Sequence, residues 1–209
     1  MMPNVDCYSR LVATDVPRRV RADRVRNAER IQRAAREVWA EQGPDAPLDE
    51  IARRAGVGIA TLYRRFPDKA VLVRAALDQI TAEELSPAIK QALDDDNPLR
   101  GLTTLIEAAM ALAAREHNTL AAGRSTGALT TEVTAPLHTT LTQLARRGQQ
   151  AGLVRADLVP DDLPRIMAML FSVLWTMDPR TEGWRRYLVL VLDALSPAER
   201  TPCPRRSPC

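Results

Sequence analysis

The side chains best suited to chemistry lie together in residues 48–69, LDEIARRAGVGIATLYRRFPDK. At helical spacing Leu62 and Phe66 share one face, while Thr61, Tyr63, Arg64 and Arg65 point away from it. Two guanidiniums, a phenol and a hydroxyl suit contact with a polyanion. A guanidinium can pair bidentately with a guanine edge, worth about 1–3 kcal/mol of discrimination, and Thr61 can reach a phosphate or a thymine methyl. The same residues are also compatible with an ordinary αα-hairpin whose arginines are solvated. Parts for other chemistry are missing. The chain has 2 His, no HExxH pair, no phosphate-binding loop and no GxSxG turn. Cys7, Cys203 and Cys209 have no metal-ligand spacing with His. Asp94-Asp95-Asp96 are adjacent and share no helix face, so they read as a solvated loop. The expectation is a protein that is not an enzyme, with no metal and no cofactor.

The elements around this stretch follow from spacing. Leu48, Ile51, Ala52 and Ala55 recur at i, i+3, i+4 and i+7, one face of a short helix. Gly56 can take the left-handed conformation of a C-terminal cap, Val57 is an apolar pin in the turn, and Gly58 keeps the turn small. A second short helix starts near Ile59 and stops before Pro67. Helix, glycine-containing turn and basic second helix make a helix-turn-helix pattern, and the second helix has the size of the major groove. Upstream, Ile31, Ala34, Ala35, Val38 and Trp39 predict a helix over about 23–42 that ends at Gly43-Pro44, with Trp39 packed on Ile51, Leu62 and Phe66. Pro47, Asp49 and Glu50 suit a helix N-terminus. Val73, Leu77 and Ile80 predict a fourth helix to about Leu85.

GVGIATLYRRFPDK, with AAREVWAEQG upstream of it, resembles the TetR family of bacterial transcriptional regulators over roughly residues 24–80. Beyond that span the resemblance is one of layout. It implies that Gly58, Ile59, Ala60, Thr61, Tyr63, Arg64 and Arg65 face the groove of double-stranded DNA, and that Lys69 meets a phosphate. In the family the tyrosine donates its hydroxyl to the DNA backbone. Arg64 and Arg65 are the candidates for reading bases, Ile59 and Ala60 offer apolar contact, and Gly58 suits close approach. Arg65 stands where many relatives have His, Trp39 where they usually have Phe, and Pro47 where many have a capping Ser or Thr. Arg26 and Arg30 are further phosphate candidates. Arg18, Arg19 and Arg21 fit a DNA-following arm or a solvated tail equally well.

Composition sets the frame. With 209 residues, 45% hydrophobic, 26% charged and only 4% aromatic, the chain reads as globular and all-α. The net charge of +3 is mild, but residues 17–77 hold 14 Arg and Lys against 8 Asp and Glu, which leaves the remainder acidic. No signal peptide is recognisable, and the most apolar run, 166–177, is too short to span a membrane, so no membrane partner is expected and a cytoplasmic protein is. The expected domains are a flexible basic arm at 1–20, a helix-turn-helix DNA-binding domain with its linking helix at 21–85, a helical regulatory and dimerisation domain at 86–196, and a disordered tail at 197–209.

In the second domain Leu102, Leu105, Ile106, Ala109, Leu112 and Ala113 predict one helix, 121–134 a looser segment, and Leu137, Leu141 and Leu144 another helix. The helix at 162–177 is apolar almost all round, and Trp184, Tyr187, Leu188, Val191, Leu192 and Leu195 stripe the last one. These two need more cover than one domain supplies. The family's answer is a homodimer through a four-helix bundle, which implies a near-palindromic operator. The resemblance further implies repression relieved by a small-molecule inducer of unknown identity. Its candidate pocket residues are Met110, His117, His138, Met167, Phe171, Trp175 and Met177, each equally readable as core. The alternative is a helical protein-interaction module whose basic hairpin binds a protein partner.

Overall fold

The computed structural model describes residues 15–178 and 181–197, and the fold of these residues is all-α. Helix α1 spans Asp15–Gln42 and buries Ala28, Ile31, Ala34, Ala35, Val38 and Trp39 along one side. It begins ahead of the expected Asp23, so residues 15–20 are helical and not irregular. The remainder of the expected arm, the expected tail beyond residue 197 and all three cysteines lie outside the described residues.

Helices α2 (Leu48–Arg54) and α3 (Ile59–Arg65) follow. Gly56 between them has φ +64°, the left-handed conformation that a side chain resists, and the Val57 amide donates back to the Ala52 carbonyl at 3.0 Å. Phe66 is extended ahead of Pro67 and ends α3. In α4 (Lys69–Ile80) the Asp68 carboxylate caps the N-terminus by accepting from the Val71 amide at 2.8 Å. Trp39, Ile51, Leu62, Phe66, Leu72 and Val73 share one buried core, which fixes the angle between α1 and the α2–α3 pair.

The linking helix does not end at Leu85. It runs through a π-helical turn, Thr81–Leu85, into α5 (Ser86–Leu93). Pro87 lacks the amide that the regular ladder needs, and the wider turn absorbs that loss without stopping the helix. A turn follows in which Asp94 and Asp96 are exposed, as expected of a solvated loop, and Asp95 is salt-bridged. Asp95 accepts from Arg100 at 2.8 and 2.7 Å, and Asn97 caps α6 (Pro98–Arg115).

Glu116 breaks the chain direction before α7 (His117–Ser125). Residues 121–125, expected to be loose, are therefore helical, and the irregular link shrinks to 126–130. Helix α7 holds because it lies against α1 and α4, where Thr119, Ala122 and Gly123 are buried. A Cβ on Gly123 would come within 3.2 Å of both Leu77 and Leu129, so the small residues permit this approach.

Helices α8 (Thr131–Gln150), α9 (Asp162–Thr176) and α10 (Trp184–Leu195) complete the fold. A second core joins α5, α6, α8, α9 and α10 through Leu102, Leu105, Ile106, Leu141, Leu144 and Leu163. Met169, Tyr187, Val189 and Leu190 on α9 and α10 remain exposed, Leu190 by 57%.

Candidate DNA-binding surface and internal cavity

The outer face of α3 is built from the inside. Leu62 and Phe66 are 0% and 4% exposed and anchor the helix on α1 and α2. Their burial turns Ile59, Ala60, Tyr63, Arg64 and Arg65 to solvent, with Thr61 half-buried at the edge. The Arg64 guanidinium reaches the Thr61 hydroxyl at 3.5 Å, and that of Arg65 lies 5.9 Å from the Phe66 ring centre. Neither forms an ion pair among the described residues. Lys69 is half-buried and faces Asp45 at 3.5 Å. Gly58 precedes α3 with φ −67°, and a Cβ there would meet nothing within 4 Å, so the fold itself does not demand glycine at that position.

Other arginines nearby are engaged within the chain. Arg30 donates to the carbonyls of Ala55 and Gly56, at 2.6 and 3.4 Å, and ties α1 to the turn. Arg26 pairs with Asp23, Arg53 with Glu50, and Arg54 with Glu41. Arg64 and Arg65 thus stand on the outer face of α3 with their charge uncommitted to a carboxylate among the described residues.

A cavity of about 590 Å³ lies between α4, α6, α7, α8 and α9. Of the seven residues proposed for a pocket, His117, His138, Phe171 and Trp175 line it. The other three do not. Met110 and Met167 are fully buried in the second core, where helical periodicity looks the same as it does on a cavity wall. Met177 packs against that core near Gly183. The His117 and Trp175 rings meet at a tilt of 44°, with centres 4.4 Å apart. Burial pushes both histidines below the ordinary imidazole value, which favours the neutral form.

Sequence reasoning missed Glu116 and Arg124 on the same wall. Arg124 lies 4.7 Å over the Trp175 ring. The Glu116 carboxylate accepts from Arg36 at 3.0 and 2.5 Å and from the Thr119 hydroxyl at 2.9 Å. Arg36 belongs to α1 and also pairs with Glu84 at 2.6 Å and Glu83 at 3.4 Å in the π-helical turn. Asn118 donates to the Trp39 carbonyl at 2.9 Å. The helix that carries the helix-turn-helix is therefore fastened to the cavity wall by polar contacts spanning about 80 residues of sequence. No signal in the sequence points to this junction.

A basic recognition-type helix held proud of a three-helix core, on a larger helical body, defines a helix-turn-helix DNA-binding protein. Residues 31–76 match the model of the family described as bacterial regulatory proteins, tetR family. No curated protein matches significantly. Among solved structures, a TetR transcriptional regulator from Streptomyces coelicolor is 30% identical, covering 82% of this chain and 99% of its own, with a TM-score of 0.61. The TetR transcription regulatory protein from Mycobacterium vanbaalenii is 27% identical over 85% of this chain and 99% of its own, with a TM-score of 0.60. The chain belongs to the TetR family of bacterial transcriptional regulators. Among the described residues, no helix is long and apolar enough to cross a membrane.

Proposed function

We propose that this protein is a cytoplasmic, homodimeric repressor that binds a near-palindromic operator and leaves it when a small molecule fills the cavity. The reading rests chiefly on the outer face of α3, where Tyr63, Arg64 and Arg65 stand exposed around a helix whose inner residues are locked. In this reading residues 21–85 are the DNA head and 86–196 the regulatory and dimerisation body. Tyr63 and Lys69 hold phosphates, and Arg64 and Arg65 read base edges. Thr61 meets a phosphate or a thymine methyl, and Ile59 and Ala60 give apolar contact. Gly58 serves close approach to the DNA backbone, a role supported by the open space around it. The exposed apolar side chains of α9 and α10 are the dimer surface.

Release works by linkage: the effector must bind more tightly to a conformation whose heads misfit the operator. Arg36, between the cavity wall and α1, is suited to carry that change.

Selection of random duplex DNA by the purified protein tests the reading, with affinity for the winner measured at two salt concentrations. The expected winner is near-palindromic and bound with an affinity that falls steeply in salt. No enrichment, with only weak binding to any duplex, would defeat it. A protein-docking hairpin would show no such salt dependence.

A further inference from the structure

We propose that the cavity takes an amphiphilic anion, an apolar body with a single carboxylate or phosphate head, and that Arg124 holds the head. The proposal rests on the effector reading above and gives that effector a chemical class.

Size sets the first limit. At ~30 Å³ per water-sized group, the cavity of about 590 Å³ admits roughly 20 non-hydrogen atoms. The wall is largely aliphatic and aromatic, so most of those atoms must be apolar.

Charge sets the second. Four titratable side chains line the wall, namely Glu116, His117, Arg124 and His138. Glu116 is paired with Arg36 and hydrogen-bonded by Thr119, so both its carboxylate oxygens are already engaged within the chain. Both histidines are pushed toward the neutral form by burial. Arg36 is held by Glu83, Glu84 and Glu116. Arg124 alone keeps its charge without a carboxylate partner among the described residues.

Its geometry favours an anion. The guanidinium lies over the Trp175 ring. That contact leaves the guanidinium N–H groups without a hydrogen-bond partner among the described residues, and such donors can grip a carboxylate or phosphate bidentately. Trp175 thus holds Arg124 at the wall while Phe171 and Leu120 present apolar surface beside it. A neutral acceptor would gain less from these donors than an anion, and a cationic head would be repelled by Arg124.

Calorimetric titration of the full chain with decanoate, decyl phosphate, 1-decanol and decyltrimethylammonium, all below micelle-forming concentrations, tests the assignment. At least one anion should bind about 10-fold or more tighter than decanol, the scale of a charge-assisted hydrogen bond. The stronger of the two anions identifies the head. Arg124→Gln should abolish the preference of the anion over decanol while the melting temperature stays near that of the parent, because Arg124 is exposed and not part of either core. Equal binding of decanol, preference for the cation, or a preference that survives Arg124→Gln would overturn the proposal. So would the absence of binding by every probe. If the protein still bound its selected duplex in that case, the ligand class would fall and the regulator reading would stand.

Discussion

At α3 the proposed function gives each outward side chain a separable task. Tyr63→Ala and Lys69→Ala should weaken binding to every duplex, and loss of Lys69 should reduce the salt slope by about 1. The Asp45 contact of Lys69 is exposed and worth little, so it does not compete with a phosphate. Arg64→Ala or Arg65→Ala should instead relax preference at particular base pairs, by about 1–3 kcal/mol each. Affinities measured across a panel of single-base operator variants distinguish the two patterns; uniform losses for all four substitutions would sink the division. Gly58→Ala should leave the melting temperature nearly unchanged, since its Cβ enters open space, yet reduce operator affinity if DNA comes close there. The cavity histidines give a pH prediction. Their pKa values are lowered by burial from the unfolded 6.5, so the unfolded chain binds more protons in mildly acid solution. Their effect on stability is absent above about pH 6.5 and becomes a loss as pH falls toward the folded values. The melting temperature should therefore drop between pH 7.5 and 5 by less in a His117→Gln/His138→Gln variant than in the parent.

Between elements, the contact of greatest consequence is Arg36 of α1 with Glu116 and Glu84. Its side chain is only 16% exposed, and that of Glu116 only 11%. Burial opposes the charge on Arg36, but Glu116 and Glu84 outweigh it and the pKa is raised. Arg36→Gln would leave Glu116 without its cation beside a largely apolar wall, while Glu84 keeps Arg115. Urea unfolding should show a loss of roughly 1–3 kcal/mol. The same variant should change operator affinity even though Arg36 lies away from α3. Unchanged operator affinity in a destabilised protein would show a brace with no part in coupling. The π-helical turn belongs to the same junction, because Glu83 and Glu84 sit on it.

For the whole molecule, the unpartnered apolar surface on α9 and α10 predicts assembly. Val189 and Leu190 are more than half exposed, so Val189→Asp/Leu190→Asp should leave the monomer folded while abolishing the dimer. Sedimentation of both proteins at micromolar concentration checks this; a parent chain that sediments as a monomer would refute the homodimer. In the dimer, the two α3 helices should meet half-sites one helical turn apart, about 34–36 Å, or a multiple of it. The Val189→Asp/Leu190→Asp variant should accordingly lose operator affinity with an intact α3.

Leu62 with Phe66, and Leu48 with Ile51, Ala52 and Ala55, made the helix-turn-helix readable because helical periodicity is a local property. The same pattern settled which side chains α3 turns outward. Local rules erred where packing intervened. Residues 121–125 are helical because α1 and α4 cover them, and the linking helix passes Leu85 because a wider turn accommodates Pro87. The cavity wall was only half legible. Met110 and Met167 occupy helical positions equivalent to those of true lining residues, and only tertiary packing decides which neighbours they meet. Arg30, Arg36 and Glu116 were readable as charges but not as a clamp, a bolt and its socket, since their partners lie 25 to 80 residues away. Sequence alone thus determined the family, the all-α class and the outward face of α3, features set by spacing within a few turns. The tertiary structure decided the cavity, the place of Arg124 on its wall and its link to α1, because each depends on residues that only folding brings together.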